Sequence, residues 1–228
     1  MINNLTLLIP VKNEKESIGI FLKKLSKFNY KTILVVDKYD DTDYLKIVKN
    51  LKKTKIFKSK KTGYGNALIE GINRINTKYF CIINADGSMN PVEVYKMMKL
   101  TKLYSFIFGS RYSQNAGSED DTIITLIGNK MFTLIGNIFF NLKISDILYT
   151  FVIGETKLAR KLKLKSSDFK ICVELPIKVS KSNYSYTDFP CYEFKRIGGK
   201  KKVNAIKDGF LILLKMLNLF FQNLFYKI

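Results

Sequence analysis

Five short apolar runs, each followed by a polar or glycine-rich turn and then by an amphipathic stretch, limit what this chain can fold into. Leu5–Val11, Thr32–Asp37, Lys55–Lys58, Tyr79–Asn84 and Ser105–Gly109 are brief and bounded by turn formers, which predicts buried strands. Between them Glu16–Phe28, Thr42–Lys52, Asn66–Ile75 and Val92–Lys102 show helical spacing. Pro91 suits the first turn of the last of these, with Asn90 as its cap. Strand and helix in repeated alternation predict an α/β fold, a mostly parallel sheet with helices on both faces. Ligands of such sheets gather beyond the carboxyl ends of the strands, so the residues after each run are the site candidates.

Those residues are informative. The first run leads into Ile9-Pro10-Val11-Lys12-Asn13-Glu14, and the second ends in Val35-Val36-Asp37 before an acidic Asp40-Asp41-Thr42. After the third comes Lys60-Lys61-Thr62-Gly63-Tyr64-Gly65-Asn66-Ala67; the fourth ends in Asn84-Ala85-Asp86-Gly87 and the fifth in Gly109-Ser110-Arg111-Tyr112. An acid at a strand end can hold the polar groups of uracil or ribose. Glycines before a helix, here Gly63 and Gly65, let backbone N–H groups approach an anion at the helix N-terminus. Acidic or amide oxygens at i and i+2, as in Asn84 and Asp86, can share a divalent cation that neutralises a diphosphate. Each signal alone is weak, and a single Asp after a strand is usually a helix cap. Five of them at five successive strand ends point to one pocket.

Composition removes other chemistries. The 228 residues carry 39 Lys and Arg against 19 Asp and Glu, a formal +20, which favours anionic partners and a solvated lysine surface alike. There is no histidine, and Cys81, Cys172 and Cys191 are scattered in apolar stretches, so a zinc site and Ser-His or Cys-His relays are excluded. Buried free thiols in a reducing compartment are expected. Met1–Thr6 runs straight into a short apolar run ended by Pro10, which is no signal peptide, so a cytoplasmic placement is expected. Basic residues interleaved with apolar core runs, without a nucleic-acid motif, argue against nucleic acid as a partner.

The second half is less regular. Ile123–Leu142 is apolar but interrupted by Gly128, Asn129, Lys130, Gly136 and Asn137, a poor membrane span and a fair packing helix. Ser166–Tyr192 is expected to add a helix and a strand. Phe194–Lys207 holds six basic residues and no acid. In Gly209–Tyr226 that follows, a helix would line up Asp208, Lys215, Asn218 and Gln222 on one thin stripe and leave the rest apolar. A wide apolar face beside a basic cluster fits a helix lying in an anionic membrane interface, with the protein's own core or a second copy of the chain as the alternative cover.

The series Pro-x-x-Asn-Glu, Val-Val-Asp, Gly-x-Gly-x-Ala, a near Asp-x-Asp and Gly-Ser-Arg resembles the family 2 inverting glycosyltransferases over nearly the whole chain. It is most similar to the branch acting on polyprenyl phosphates, which includes dolichol-phosphate mannosyltransferase. Gly128-Asn129-Lys130, Ser145-Asp146, Glu174, Pro190, Arg196 and Gly199-Lys200-Lys201-Lys202 resemble later motifs of that branch. The resemblance implies a Rossmann-like GT-A domain over residues 1–202, an amphipathic membrane-associated helix over 203–228, and a place at the cytoplasmic face of the membrane. It implies that Pro10, Glu14 and Asp37 line the nucleotide pocket, with Lys60 or Lys61, Asn84 and Asp86 near the diphosphate and a Mg²⁺ or Mn²⁺ ion. Arg111, Lys130, Arg196 and Lys202 would face the phosphates of a nucleotide-sugar donor or a lipid-phosphate acceptor.

The chain departs from the pattern at defined points: Asn84 replaces an acid, Lys12 an aromatic residue, Lys38 a second acid, and Thr150-Phe151-Val152 a Gly-Phe-Arg. An amide oxygen ligates a hard cation more weakly than a carboxylate. Transfer would be a single displacement with inversion. A lipid phosphate is already anionic and needs no strong base; a sugar hydroxyl does, and Asp146 is the candidate, with a helix cap or a structural acid pairing with a lysine as the plain alternatives. Transfer to a surface glycan and an inactive binding scaffold are the competing readings.

Overall fold

The computed structural model describes residues 2–49, 51, 53–198 and 204–225. After a 3-10 turn at Ile2–Asn4 come β1 (Leu5–Val11), α1 (Lys15–Ser26), β2 (Lys31–Val36), α2 (Tyr44–Val48), β3 (Thr54–Lys58), α3 (Tyr64–Arg74), β4 (Tyr79–Ile82), α4 (Pro91–Leu100) and β5 (Phe106–Ser110). The second half adds β6 (Gly117–Ser118), α5 (Ile123–Phe140), β7 (Val152–Glu155), α6 (Thr156–Lys161), α7 (Ile171–Lys181), β8 (Tyr186–Pro190), β9 (Tyr192–Glu193) and α8 (Ala205–Phe225).

The main sheet has the order β3-β2-β1-β4-β7-β5-β8, and a two-stranded piece joins β6 to β9. All its pairings are parallel except those of β7, which runs antiparallel between β4 and β5. This is the α/β arrangement expected from the alternation, and the GT-A type that the resemblance implied, with β7 as the unforeseen strand. Gly154 of β7 explains how it fits: a Cβ there would lie 2.6 Å from the Phe106 ring and 2.8 Å from that of Phe80.

Side-chain alternation along β1 sorts the core into two layers. Leu5, Leu7 and Ile9 face Phe21 and Leu22 of α1 and Met97 and Met98 of α4. Leu8 faces the other side, with Leu68 of α3, Phe132 of α5, Ile177 of α7 and Met216 of α8. Phe80, Phe106 and Phe151 have no exposure, and each such ring contributes roughly 1.5–3 kcal/mol of burial. The first-half helices form where expected, and Asn90 accepts the Val92 N–H ahead of Pro91. The exception is α2, five residues instead of the eleven expected over Thr42–Lys52. Asp43 caps it at Leu45, and the Leu51 N–H turns back to the Val48 carbonyl so that the chain can enter β3.

The tail helix serves two surroundings. Ile212, Met216 and Leu219 of α8 are buried in the layer shared with α5 and α7. Lys215, on the stripe expected to be polar, reaches the fully buried Glu174 of α7 at 3.5 Å. Ile206, Phe210, Leu214, Leu217 and Phe221, at steps of three and four, remain exposed on the outer side. Ile123, Ile124, Ile127, Met131, Leu134 and Ile138 do the same on α5, which meets α8 through the edge-to-face rings of Phe139 and Phe220. Among the described residues, α5 is the helix long and apolar enough to cross a bilayer, by length and composition only.

Candidate active site

A cavity of about 610 Å³ opens at the carboxyl ends of the parallel strands. Pro10, Glu14, Asp37, Gly63, Asn84, Asp86, Arg111 and Arg196 line it, so residues from five strand ends and from the segment after β9 converge on one space. Among the described residues its wall holds eight carboxylate residues (Glu14, Asp37, Asp86, Asp120, Asp121, Asp168, Glu193 and Asp208) and three cations, Lys12, Arg111 and Arg196. For those residues the general positive charge of the chain is reversed here.

At the β2 end, Asp37 is buried and accepts the Thr62 hydroxyl at 2.8 Å, the Gly63 N–H at 3.0 Å and the Tyr39 N–H at 3.1 Å. Lys12 stands 3.5 Å away. Burial pulls this carboxyl upward, but the Gly63 amide, the Thr62 hydroxyl, the Tyr39 amide and Lys12 outweigh it and hold Asp37 below its ordinary value. It is an anion poised for a hydroxyl or ring N–H donor. Asp40 beside it takes the Asn13 N–H and the Tyr44 hydroxyl, both at 2.7 Å, and fixes the turn that carries Glu14.

The glycine pair has a different task from the one the sequence suggests. Gly63 has φ +114°, and its N–H is spent on Asp37. A Cβ on Gly63 would lie 2.3 Å from the Ser167 carbonyl oxygen, and one on Gly65 2.1 Å from that of Ser166. The pair lets the 166–168 segment cross over the start of α3, and Gly65 is not part of the cavity wall. Glu174 holds that segment from behind by accepting the Ser166 N–H at 2.7 Å and the Lys165 N–H at 3.1 Å. Burial works against this charge, but Ser166, Lys178 and Lys215 hold its carboxyl down at about 2.

At the β4 end, Asp86 accepts the Ser88 N–H and hydroxyl through Oδ1, while its Oδ2 lies 3.7 Å from the Arg196 guanidinium. Arg196 also forks onto Asp120, with Nε at 3.1 Å and Nη2 at 2.7 Å. The Ile197 N–H bonds the Asp86 carbonyl, which pins this segment across the turn. Asn84 presents its Oδ1 to the Tyr64 hydroxyl at 3.0 Å, and that hydroxyl meets Thr150 at 2.7 Å. Tyr64 stacks on Phe169 at 5.0 Å.

At the β5 end, Arg111 is sandwiched between the rings of Tyr112 and Tyr149. Its Nε and Nη2 fork onto Asp146 at 2.7 and 3.1 Å, and Nη1 reaches Glu193 at 3.2 Å and Asp121 at 3.6 Å. Burial disfavours the cation, but Asp146 and Glu193 overcome it, so Arg111 stays charged. Asp146 is 2% exposed, lies behind the wall, and has both oxygens engaged by Arg111. Its partner is thus an arginine, not the lysine expected of a structural acid. Glu193 does face the cavity; burial raises its carboxyl above the ordinary range, against the pull of Arg111 and Ser118.

Two expected lysines stand apart. Lys61 and Lys130 are exposed and outside the wall, and among the described residues the lysine that borders the cavity is Lys12. Lys202 lies outside the described residues. Glu193, Asp120, Asp121 and Tyr64 were not candidates from sequence. The run Ser118-Glu119-Asp120-Asp121, acidic in a basic chain, was the available signal for two of them.

A family model for glycosyl transferase family 2 matches residues 6–163. The uncharacterized protein MJ1222 of Methanocaldococcus jannaschii is 26% identical over 219 residues, 92% of this chain and 89% of that one. Glucosyl-3-phosphoglycerate synthase from Mycobacterium tuberculosis in complex with uridine diphosphate aligns with a TM-score of 0.72 at 10% identity, over 94% of this chain and 79% of that chain. The same enzyme with Mn²⁺, uridine diphosphate and phosphoglyceric acid gives a TM-score of 0.70 at 10% identity, over 94% and 77%. These structures speak for the fold, and the family model runs from β1 past α6: the chain belongs to glycosyl transferase family 2, and is a glycosyltransferase that depends on a nucleotide-sugar donor.

Proposed function

We propose that the chain transfers a sugar, with inversion, from a nucleotide sugar to a polyprenyl phosphate at the cytoplasmic face of a membrane. The observation that carries this is the path of the cavity wall. It runs from Arg111 and Arg196 out to Thr125 and Asn129 of α5 and to Asp208 and Ile212 of α8, the two helices whose outer faces are apolar and exposed. A phosphate at the cavity would leave its hydrocarbon tail beside those faces, and the same faces suit an anionic bilayer surface.

The chemistry is a direct displacement. A phosphate oxygen of the acceptor attacks the anomeric carbon, the bond from that carbon to the diphosphate breaks, and the nucleoside diphosphate leaves with the electron pair. Asp37 would hold the nucleoside, and Arg196 and Arg111 would meet the phosphate charge. An anionic acceptor needs no proton removed, which agrees with Asp146 being committed to Arg111. Mg²⁺ or Mn²⁺ fits this site through Asp86: among the described residues the wall has more acids than cations, which repels a diphosphate unless a divalent ion accompanies it. When bound, that ion would supply charge neutralisation to the leaving group. A donor carrying uridine diphosphate is the first to test, since the mycobacterial synthase was solved with that nucleotide.

Glu193 favours one second reading. A buried carboxyl held upward and facing the cavity is suited to accept a proton, as a sugar-hydroxyl acceptor would require. Incubation of purified protein with undecaprenyl phosphate and a panel of nucleotide sugars separates the two. Radiolabel in the lipid extract is expected; its absence with every donor, alongside label in an added glycan, would establish the hydroxyl acceptor instead.

A further inference from the structure

The substitution in the Asn84-Ala85-Asp86 turn is accompanied by a hydrogen-bond arrangement that gives the amide a definite sense. Tyr64 donates its phenolic hydrogen to Asn84 Oδ1 at 3.0 Å. Thr150, 2.7 Å from the same phenol oxygen, completes the chain as the donor to it. A phenol has one hydrogen, so the direction of one bond fixes the other. The ring cannot drift, because it stacks on Phe169. Tyr64 engages one lone pair of Oδ1, and the amide NH₂ is the end of Asn84 that carries hydrogens for an anion. Among the described residues it has no hydrogen-bond partner, and Asn84 lines the cavity.

We propose that Asn84 is a hydrogen-bond donor to a phosphate oxygen of the bound nucleotide sugar, aimed by Tyr64 and Thr150, and that any divalent ion is held by Asp86 without it. This rests on the cavity being the donor site. It replaces the metal-ligand role that the Asn84-x-Asp86 spacing suggests. An aspartate at this position would put a ninth carboxylate residue on the wall and accept the Tyr64 hydrogen as readily. An asparagine accepts that hydrogen and still offers two of its own to an anion. The selectivity is therefore for the negatively charged end of the donor, with less reliance on the metal to bring it in.

The test uses the whole protein and two readouts other than turnover. Calorimetry measures binding of uridine, guanosine, adenosine and cytidine diphosphates in chelator and in Mn²⁺, and electron paramagnetic resonance measures Mn²⁺ binding without nucleotide. Asn84→Asp is expected to weaken nucleotide binding in chelator by about 10-fold or more, the range of a hydrogen bond to a charged group, and to tighten Mn²⁺ binding. Asn84→Ala, which adds no charge, is expected to weaken the nucleotide by about 3- to 10-fold and leave Mn²⁺ unchanged. Thermal melting of both variants reports folding, and Tyr64→Phe, which releases the amide, should repeat the Asn84→Ala result in milder form. If Asn84→Ala weakens Mn²⁺ binding, or Asn84→Asp binds nucleotide in chelator as well as the natural protein, the amide is a metal ligand and the inference falls while the donor site stands. If no diphosphate binds the natural protein in either condition, the donor-site reading falls and takes this one with it.

Discussion

The two ends of the central sheet carry opposite charge. Among the described residues, eight carboxylate residues face three cations around a cavity of about 610 Å³ at the carboxyl ends, and a cleft of about 600 Å³ at the amino ends is lined by Lys31, Lys53, Lys55 and Arg74 with no acid. The difference is one of kind as well as sign. Arg111 and Arg196 at the front are each forked onto a carboxylate and fixed by neighbouring turns or rings. At the back the lysines are exposed, with Lys31 reaching a carbonyl of Asn3 at 3.3 Å and Arg74 lying over Phe57. A formal +20 is therefore a statement about the solvated surface, and the site is built from the minority charge.

If that contrast is correct, front substitutions have large effects and back ones small effects. The largest is expected for Arg111→Ala, which strands the buried Asp146: about 3–5 kcal/mol of stability lost in denaturant unfolding, with nucleotide binding lost as well. Glu174→Gln comes next, leaving Lys215 and Lys178 without their anion, at about 1–3 kcal/mol. The pH dependence of Glu174 has a defined sign. Its folded value near 2 lies below the ordinary carboxylate value, so its contribution is full above that ordinary value and is lost as pH falls toward 2; the variant should melt with a shallower acid limb.

Asp37→Asn is expected to weaken nucleoside diphosphate binding by about 10- to 100-fold in calorimetry, the loss of a charged acceptor, with a smaller effect on melting. Phe210→Glu with Leu214→Glu should cut flotation with anionic vesicles by about 10-fold and leave nucleotide binding intact, because both side chains face outward. The smallest effect belongs to the back cleft. Lys53→Glu with Lys55→Glu should stay within about 0.5 kcal/mol of stability and leave nucleotide affinity unchanged; a loss comparable to that at Asp37 would show that charge acts through the whole sheet and erase the contrast.

What could be read from sequence follows the same division between local and distant causes. β1 to β5 and their helices announce themselves because each is a local pattern closed by a turn, and Asp37, Asp86 and Arg111 inherit their positions from it. β7 is illegible because both faces of the sheet are covered there: Val152 packs in one core layer and Ile153 in the other, so the strand shows no alternation. β6 and β9 are two residues each and exist through pairing across more than seventy positions. Glu193 enters the site by that pairing, and Tyr64 acquires its role through Thr150, equally remote in sequence. Asp146 shows the converse: its motif was visible, but its pairing with Arg111 is a contact across thirty-five positions.

The two-sided character of α8 constrains how this chain can vary. Ile212, Met216 and Leu219 fill the layer that also holds Phe80 and Phe106, while Phe210 and Leu217 on the same turns look outward. Exchanging the segment for another anchor would open a hole beneath α7, and trimming it would expose the lining of a cleft that Ile212 helps to wall. The α8 segment must therefore vary in step with the body it packs on, its inner and outer residues answering to different surroundings.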